Sequence, residues 1–352
     1  MIYLDYAANT PADDLVIKVF SEVSKNFIAN PNSPHELGIM ANERLMESTK
    51  KISRLLNVSE NEIIYTSGAS ESNNLEHSSV NGAVGYLQNL GYDVDYVDIT
   101  DTGLVDLDHL KELIRKDTIL VSICYVDSEL GILQLVNEIG ELTSNYKNCI
   151  FHVDATQAVG KVPVSFANID LITFTPHKFY GLNGCGVLIK KESILLEPLI
   201  HGGNSTTSHR SGTPALGMIA ATEKALSLSY ENINENYDYV KTLNKRLRDD
   251  LRKYPNVIIN STDNSIPFIL NISIPKINTE NFRAQLEKYN IYVSTKPACC
   301  APNTVSRPVY ALTKNRKIAL STLRISLSHM TSLKDIDVFL ECFDKCYKEL
   351  VK

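Results

Sequence analysis

The sequence predicts an α/β fold, with a large domain built on a mostly parallel sheet and a smaller α+β domain. Two observations support this prediction. Apolar runs rich in valine and isoleucine alternate with helical patterns through the first two-thirds of the chain, and such runs are typical of strands covered on both faces. The chain also has 352 residues, which exceeds the roughly 250 to 300 at which a single core stops growing.

Six apolar runs predict the strands of the large domain, at residues 62–66, 93–99, 118–126, 149–153, 170–175 and 185–190. A long, charged helical pattern over 216–254 then leads into the smaller unit. There, predicted strands alternate with helices, at residues 257–260, 268–274, 291–294 and 322–328. We assign residues 13–240 to the large domain, and residues 1–12 and 241–352 to the small one.

The composition disfavours several classes of protein. No window reaches the roughly 18 apolar residues that a membrane span needs. The net charge of −6 disfavours direct nucleic-acid binding, and the acidic start differs from a basic signal peptide, so we expect a cytoplasmic protein. The seven cysteines are scattered and lack a CxxC pair, so we expect neither a disulfide framework nor a metal site. Cys342 and Cys346 share a helix face, which favours core packing.

Two polar residues that follow predicted strands indicate a cofactor. Asp154 ends the run HVD, and Lys178 lies in TPHKFYG. A lysine amine can condense with the aldehyde of pyridoxal phosphate, while a carboxylate keeps the pyridine nitrogen protonated so that the ring can accept electrons. Because the carboxyl ends of parallel strands meet at one edge of a sheet, the two residues are expected to share a site. Either residue alone would more often be a solvated lysine or a helix cap.

A second pattern favours binding of the cofactor phosphate. The run TSGASES at 66–72 follows a strand and opens a helix, so that Ala69 and Ser70 lie where a phosphate can approach free backbone N–H groups. A capping box is the structural alternative. Thr175 and His177, just before the lysine, could add a hydroxyl and an imidazole to the same phosphate.

Four more residues have candidate roles. Gln157 could donate to the phenolic oxygen of the cofactor. His77 could stack on the ring and move protons, although a lone histidine is more often structural. The guanidinium of Arg324 could donate two parallel hydrogen bonds to a substrate carboxylate; alternatively, Arg324 is an ordinary ion-paired arginine. Cys299 lies in the polar loop VSTKPACCAPN, where a thiol beside Lys296 could act as a nucleophile.

Together the motifs form a recognisable set. YLDYAANTP, NPNSPHELG, TSGASESNN, HVDATQAVGK, TPHKFYG, HGGN followed by RSGTP, ACC and LRISLS occur in the order found in the cysteine desulfurases. The chain resembles this family over essentially its full length. These are pyridoxal phosphate enzymes of fold type I, similar to class V aminotransferases, that act in iron–sulfur assembly.

The resemblance implies a homodimer that contacts pyridoxal 5′-phosphate through a set of side chains. They are Lys178 at the aldehyde, Asp154 at the pyridine nitrogen, Gln157 at the phenolic oxygen, Ser70, Thr175 and His177 at the phosphate, and Thr213 at the cofactor of the other subunit. It also implies a reaction on L-cysteine. His77 is then the ring-stacking acid and base, Arg324 clamps the substrate carboxylate, Asn32 helps to hold the substrate, and Cys299 takes the sulfur as a persulfide.

Three departures leave other readings open. The chain lacks a helix and a strand that the family carries between SNN, here at 72–74, and a Glu-His motif, here at 76–77; Ser128 replaces an asparagine that contacts the cofactor; and Thr207 replaces an arginine. The alternatives are another class V lyase or aminotransferase, and an impaired paralogue with a binding or regulatory role. Cys299 and Cys300 both remain candidate nucleophiles. The acceptor would be an iron–sulfur scaffold or a tRNA-thiolation enzyme.

Overall fold

The computed structural model describes residues 1–72, 85–203, 207–295 and 304–350. His77, Lys296, Cys299 and Cys300 lie outside these ranges, and their roles stay predictions. Within the described ranges, no helix has both the length and the apolar character needed to span a membrane.

The strands, named β1 to β10 in chain order, are Ile2–Tyr3, Ile63–Thr66, Leu120–Cys124, Ile150–Asp154, Leu171–Phe174, Gly186–Lys190, Ile258–Ile259, Ile269–Ser273, Ile291–Tyr292 and Thr322–Ser326. The labelled helices, α1 to α11, are Asp14–Asn26, Glu36–Leu56, Ala69–Ser72, Leu107–Leu113, Val136–Thr143, Leu216–Glu231, Ile233–Leu251, Thr279–Lys288, Arg307–Thr313, Arg316–Leu320 and Leu333–Leu350. A short 3₁₀ helix, Pro176–Lys178, follows β5.

The central sheet has the order β2-β6-β5-β4-β3 in the described residues. Strands β5, β4 and β3 are parallel neighbours, whereas β6 runs antiparallel to both β5 and β2. The predicted mostly parallel sheet is therefore confirmed. Strand β5 is buried along its whole length, as a strand covered on both faces must be.

The strand predicted at 93–99 does not form. Ile99 makes only an isolated bridge, to Val105. The alternation of aspartate and valine has the period of a strand, but a strand also needs a neighbouring backbone to bond, and β3 pairs with β4 alone in the described part of the sheet. The extended segment instead lines a large cavity together with β3.

The first residues of the chain join its last third. Strand β1 is parallel to β9, and Asp5 forms a bridge with Ser326 at the end of β10. Strands β10, β8 and β7 make a separate antiparallel sheet. These pairings are consistent with grouping residues 1–12 with residues 241–352, and the domain boundaries stay a prediction.

Helices on the faces of the sheet begin and end where their sequences direct. Asp13 caps α1 by accepting a hydrogen bond from the Leu15 N–H, and Asn57 ends α2 in the left-handed conformation at φ 55°. The long helical pattern after residue 216 forms α6 and α7, which Asn232 separates. Cys342 and Cys346 are buried in the core side of α11, which confirms their packing role.

Candidate active site

A cavity of about 1210 Å³ opens at the carboxyl ends of the central strands. Its lining includes the polar segments that follow β2, β3, β4 and β5, which is where an α/β sheet places its ligands. Most of the predicted site residues that the structure describes share this cavity: Ala69, Ser70, Ser128, Asp154, Gln157, Thr175, His177, Lys178 and Arg324.

Lys178 is held by the backbone of the chain's first residues. Its Nζ donates to the carbonyl of Ala8 at 2.6 Å and to that of Ala7 at 3.0 Å. The lysine sits at the end of the 3₁₀ helix that Pro176 starts directly after β5. A reactive amine is thus fixed between the sheet and the N-terminal segment.

Asp154 and Gln157 project from the end of β4. Asp154 is 8% exposed, and its Oδ1 accepts from the Thr156 N–H at 2.8 Å. Gln157 donates through Nε2 to the Ala7 carbonyl at 2.8 Å, so the glutamine and Lys178 share one acceptor. The amide therefore lies beside the lysine, and the carboxylate lines the same cavity.

The predicted phosphate contacts surround the end of β2 and the 3₁₀ helix. Ser70 is exposed within the cavity. Thr175 Oγ1 lies 2.8 Å from the Cys185 carbonyl and 2.9 Å from Nδ1 of His177, which fixes the orientation of the imidazole. Glu71 accepts from the Ser67 N–H at 2.6 Å, so part of the alternative capping interaction is also present.

Arg324 is the largest fully buried side chain, at 2% exposure. Its Nη2 donates to Asp5 at 2.9 Å, and its Nη1 donates to the Ser128 carbonyl at 2.9 Å. Since the guanidinium is desolvated and oriented before a ligand arrives, it is prepared to bind an anion. Ser128 thus contributes its backbone to the site as well as a hydroxyl in the cavity lining.

Asn32 and Thr213 do not line the cavity of this single chain. Asn32 is exposed in a turn whose Asn30 side chain donates to Thr213 Oγ1 at 3.4 Å. The two predicted residues therefore lie near each other on the surface. Their roles at a substrate or a cofactor stay predictions.

The cavity is electrostatically suited to anions. Burial, and then the positive charges of Lys178 and Lys161, lower the pKa of His177 to about 4. Burial, with Lys178 and Arg324 nearby, holds the pKa of Lys161 well below its usual range. Since like charges crowd together here, a bound phosphate or carboxylate would relieve their repulsion.

His152 supports the sheet beneath Asp154. Its Nδ1 lies 2.8 Å from the Ser122 hydroxyl and its Nε2 lies 3.2 Å from that of Thr173. The side chain is 2% exposed, and burial lowers its pKa to about 4, against the opposing effect of Asp154. The folded protein therefore keeps this imidazole neutral.

We expect the His152→Gln variant to be less sensitive to acid than the wild type. Because the folded pKa lies below the unfolded value of about 6.5, His152 favours folding above pH 6.5, and this contribution is lost as the pH falls towards 4. The loss amounts to about 3 kcal/mol at pH 4 for a single group shifted this far. Urea unfolding at several pH values would measure it; parallel pH curves for variant and wild type would contradict the assignment.

Four contributors to the site were not predicted. Asp5 lies in the motif YLDYAANTP, but no role was predicted for it. The carbonyl groups of Ala7 and Ala8 belong to the backbone, so residue type does not reveal their contacts. Lys161, at 7% exposure, donates to Oε1 of Gln157 at 2.5 Å. The closing lysine of HVDATQAVGK was the available signal, since it ends an otherwise apolar and buried stretch.

The residues present fit pyridoxal 5′-phosphate. Lys178 offers an amine for the aldehyde, Asp154 a carboxylate for the pyridine nitrogen, and the segment after β2 a place for the phosphate. In addition, the buried Thr156 Oγ1 and Arg324 Nε have no hydrogen-bond partner among the described residues, so a polar ligand would satisfy them. No cluster of metal-ligating side chains occurs among these residues.

The chain is similar to known proteins over nearly its whole length. Residues 2–88 and 75–339 match the Aminotransferase class-V family, in two matches that overlap over residues 75–88. The cysteine desulfurase IscS of Glaesserella parasuis serovar 5 is 35% identical over 384 aligned residues, which cover 99% of this chain and 93% of the relative. The solved structure of a NifS-like protein has a TM-score of 0.92 at 30% identity, covering 99% of this chain and 100% of its own. SspA in complex with cysteine has a TM-score of 0.81 at 26% identity, covering 94% and 100%.

Proposed function

This chain belongs to the class V aminotransferase family as one of its cysteine desulfurases, and we propose that Lys178, His77 and Cys299 are the residues that carry out its reaction. The enzyme depends on pyridoxal 5′-phosphate and converts L-cysteine to L-alanine. The observation that carries the site assignment is the convergence of Lys178, Asp154 and Arg324 on one cavity.

The chain would hold the cofactor at three points. Lys178 Nζ would bond the aldehyde carbon, Asp154 would accept a hydrogen bond from the protonated pyridine nitrogen, and Ser70 with His177 would contact the phosphate. When bound, the cofactor supplies a ring that accepts electrons from bonds at the substrate carbon. Gln157 would donate to the phenolic oxygen from its place beside Lys178.

Substrate orientation would depend on Arg324. Its guanidinium is fixed by Asp5 and by the Ser128 carbonyl, and its Nε is still without a partner among the described residues. The carboxylate of L-cysteine would bind this buried cation, because a charged hydrogen bond strengthens when water is excluded. Lys178 and His77 would then take and return protons at the substrate.

The loop that carries Cys299 connects β9 to α9, and described residues at both ends support its place at the cavity. Ser294 exchanges backbone hydrogen bonds with Arg324, at 2.6 and 3.2 Å. Arg307 and Pro308, at the start of α9, line the cavity. Described residues before and after this segment therefore contact Arg324 or line the cavity, which supports a role for Cys299 at this site.

Sulfur transfer would follow a balanced displacement. The Cys299 thiolate attacks the sulfur of bound cysteine, so that an S–S bond forms while the bond between Cβ and sulfur breaks. The electron pair of the broken bond goes to Cβ, which takes up the proton released from the Cys299 thiol. The products are L-alanine and a persulfide on Cys299, which passes its outer sulfur to an acceptor protein.

A second copy of the chain would complete the enzyme. Leu37, Ile39 and Met40 at the start of α2 are 46 to 52% exposed, which is unusual for apolar side chains that share one helix. The turn before this helix contacts Thr213 through Asn30. These exposed groups support a homodimer in which Thr213 faces the partner's cofactor.

The remaining assignments extend the same proposal. We propose a cytoplasmic enzyme whose acceptor is an iron–sulfur scaffold or a tRNA-thiolation enzyme. The loop carrying Cys299 would belong to the small domain, formed by residues 1–12 and 241–352.

The enzyme loaded with pyridoxal 5′-phosphate should release alanine from L-cysteine, and sulfide in equal amount when a thiol reductant is present. The Arg324→Lys variant should raise the KM for L-cysteine about 10- to 100-fold, because a point charge replaces a two-pronged donor worth about 1.5–3 kcal/mol to a charged partner. Arg316→Lys, an exposed arginine on α10, is the matched control and should behave as the wild type. Equal KM values for the two variants would remove Arg324 from the substrate site.

A further inference from the structure

Lys161 is a lysine in the protein interior. Its side chain is 7% exposed, and its Nζ hydrogen bond to Gln157 is the only one found among the described residues. Lysines are rarely buried with so few partners, since the ammonium group loses its hydration. Lys178 and Arg324 add like charges to its surroundings. Packing alone does not explain a cation at such a position.

The hydrogen bonds of Gln157 define the orientation of its amide. Oε1 accepts from Lys161 Nζ at 2.5 Å, and Nε2 donates to the Ala7 carbonyl at 2.8 Å. An ammonium group can only donate and a carbonyl can only accept, so both neighbours select the same one of the two possible orientations. The N–H groups of Gln157 are thereby directed to the carbonyl that also binds Lys178 Nζ.

The backbone brings Lys161 to this position. Gly160 has a φ of +77°, and a Cβ added there would lie 2.5 Å from Cβ of Phe179. The turn that carries Gln157 and Lys161 therefore packs directly on the residue after Lys178. Only glycine permits both the left-handed conformation and this close approach.

We propose that Lys161 is a positioning residue for the cofactor, which fixes the Gln157 amide as a donor towards the phenolic oxygen and adds a positive charge behind it. This inference rests on the proposed function, since it requires Gln157 to contact that oxygen. A donor at the phenolic oxygen draws electron density away from the nitrogen that joins Lys178 to the cofactor. A nearby cation acts on the same nitrogen in the same sense, so both effects favour loss of its proton.

The test is a spectroscopic titration of Lys161→Met, which keeps an unbranched apolar side chain and removes the donor and the charge. The visible absorbance of the bound cofactor, followed from about pH 6 to pH 10, reports the pKa of the linking nitrogen. We expect this pKa to rise by about one unit relative to the wild type, the size of a typical single-neighbour effect. Lys161→Gln keeps a donor without the charge and should give a smaller rise in the same direction.

The matched control is Lys190→Met. Lys190 is also buried, at 3% exposure, and its Nζ donates to the carbonyls of Lys191 and Ile194, but it does not line the cavity. It should lower the unfolding temperature and leave the titration unchanged. If Lys161→Met or Lys161→Gln lowers the unfolding temperature while the titration coincides with that of the wild type, Lys161 is merely structural and the inference is overturned. A wild type without visible absorbance would instead overturn the cofactor site itself.

Discussion

Replacing Lys178 with arginine is expected to stop alanine formation and leave the protein folded. Arginine keeps a positive charge that can still donate to the Ala7 and Ala8 carbonyls, but at neutral pH it has no free amine to condense with an aldehyde. Loss of a covalent catalyst typically lowers the rate by more than about 10³-fold. Alanine release from L-cysteine, together with borohydride fixation of the cofactor, measures the effect.

The control for this variant is Lys191→Arg, a partly exposed lysine that pairs with Asp170 at the opposite end of β5 and β6 from Lys178. It should retain the wild-type rate and the fixation of cofactor to protein. Retention of more than about a tenth of the wild-type rate by Lys178→Arg would exclude Lys178 as the residue that bonds the cofactor.

Replacing Cys299 with serine is expected to reduce alanine formation from L-cysteine by at least about 10²-fold, because a hydroxyl is a far weaker nucleophile than a thiolate towards sulfur. The cofactor should still bind, since the described cofactor residues lie elsewhere in the chain. Mass spectrometry after incubation with L-cysteine should find the persulfide on Cys299 in the wild type and in the Cys300→Ser variant.

The neighbouring thiol makes this experiment decisive. Cys300→Ser is the matched control, and it should keep both the rate and the persulfide. If the losses occur with Cys300→Ser instead, the two cysteines exchange roles. If Cys299→Ser and Cys300→Ser both turn over substrate normally, the transfer step proposed here is wrong, and the enzyme removes sulfur without a protein persulfide.

The parts of the fold that sequence predicted well are those with local physical causes. The apolar residues of β5 are stable only in a sheet that is covered on both faces, so these residues alone were sufficient to predict the strand. The segment at 93–99 has a strand-like alternation, yet pairing depends on a neighbouring strand that can be distant in the chain. A residue pattern reports on one segment at a time. It therefore predicts a strand at 93–99, although the described residues offer this segment no partner strand.

The site divides in the same manner. Lys178 and Asp154 were predictable because each follows a predicted strand and because an amine and a carboxylate have defined roles in binding pyridoxal phosphate. The pairing of Asp5 with Arg324 joins residues 319 positions apart, and no local pattern reports such a contact. Lys161 was missed for a statistical reason, since most lysines are solvated.

On the role proposed for Arg324, its pairing with Asp5 also determines when the substrate site is complete during biosynthesis. The aspartate leaves the ribosome well before its arginine, which lies 319 positions further along the chain and emerges only with β10. Contacts so distant in sequence close late, after the intervening chain has folded. We therefore expect nascent and prematurely terminated chains that lack β10 to be unable to bind the carboxylate of cysteine.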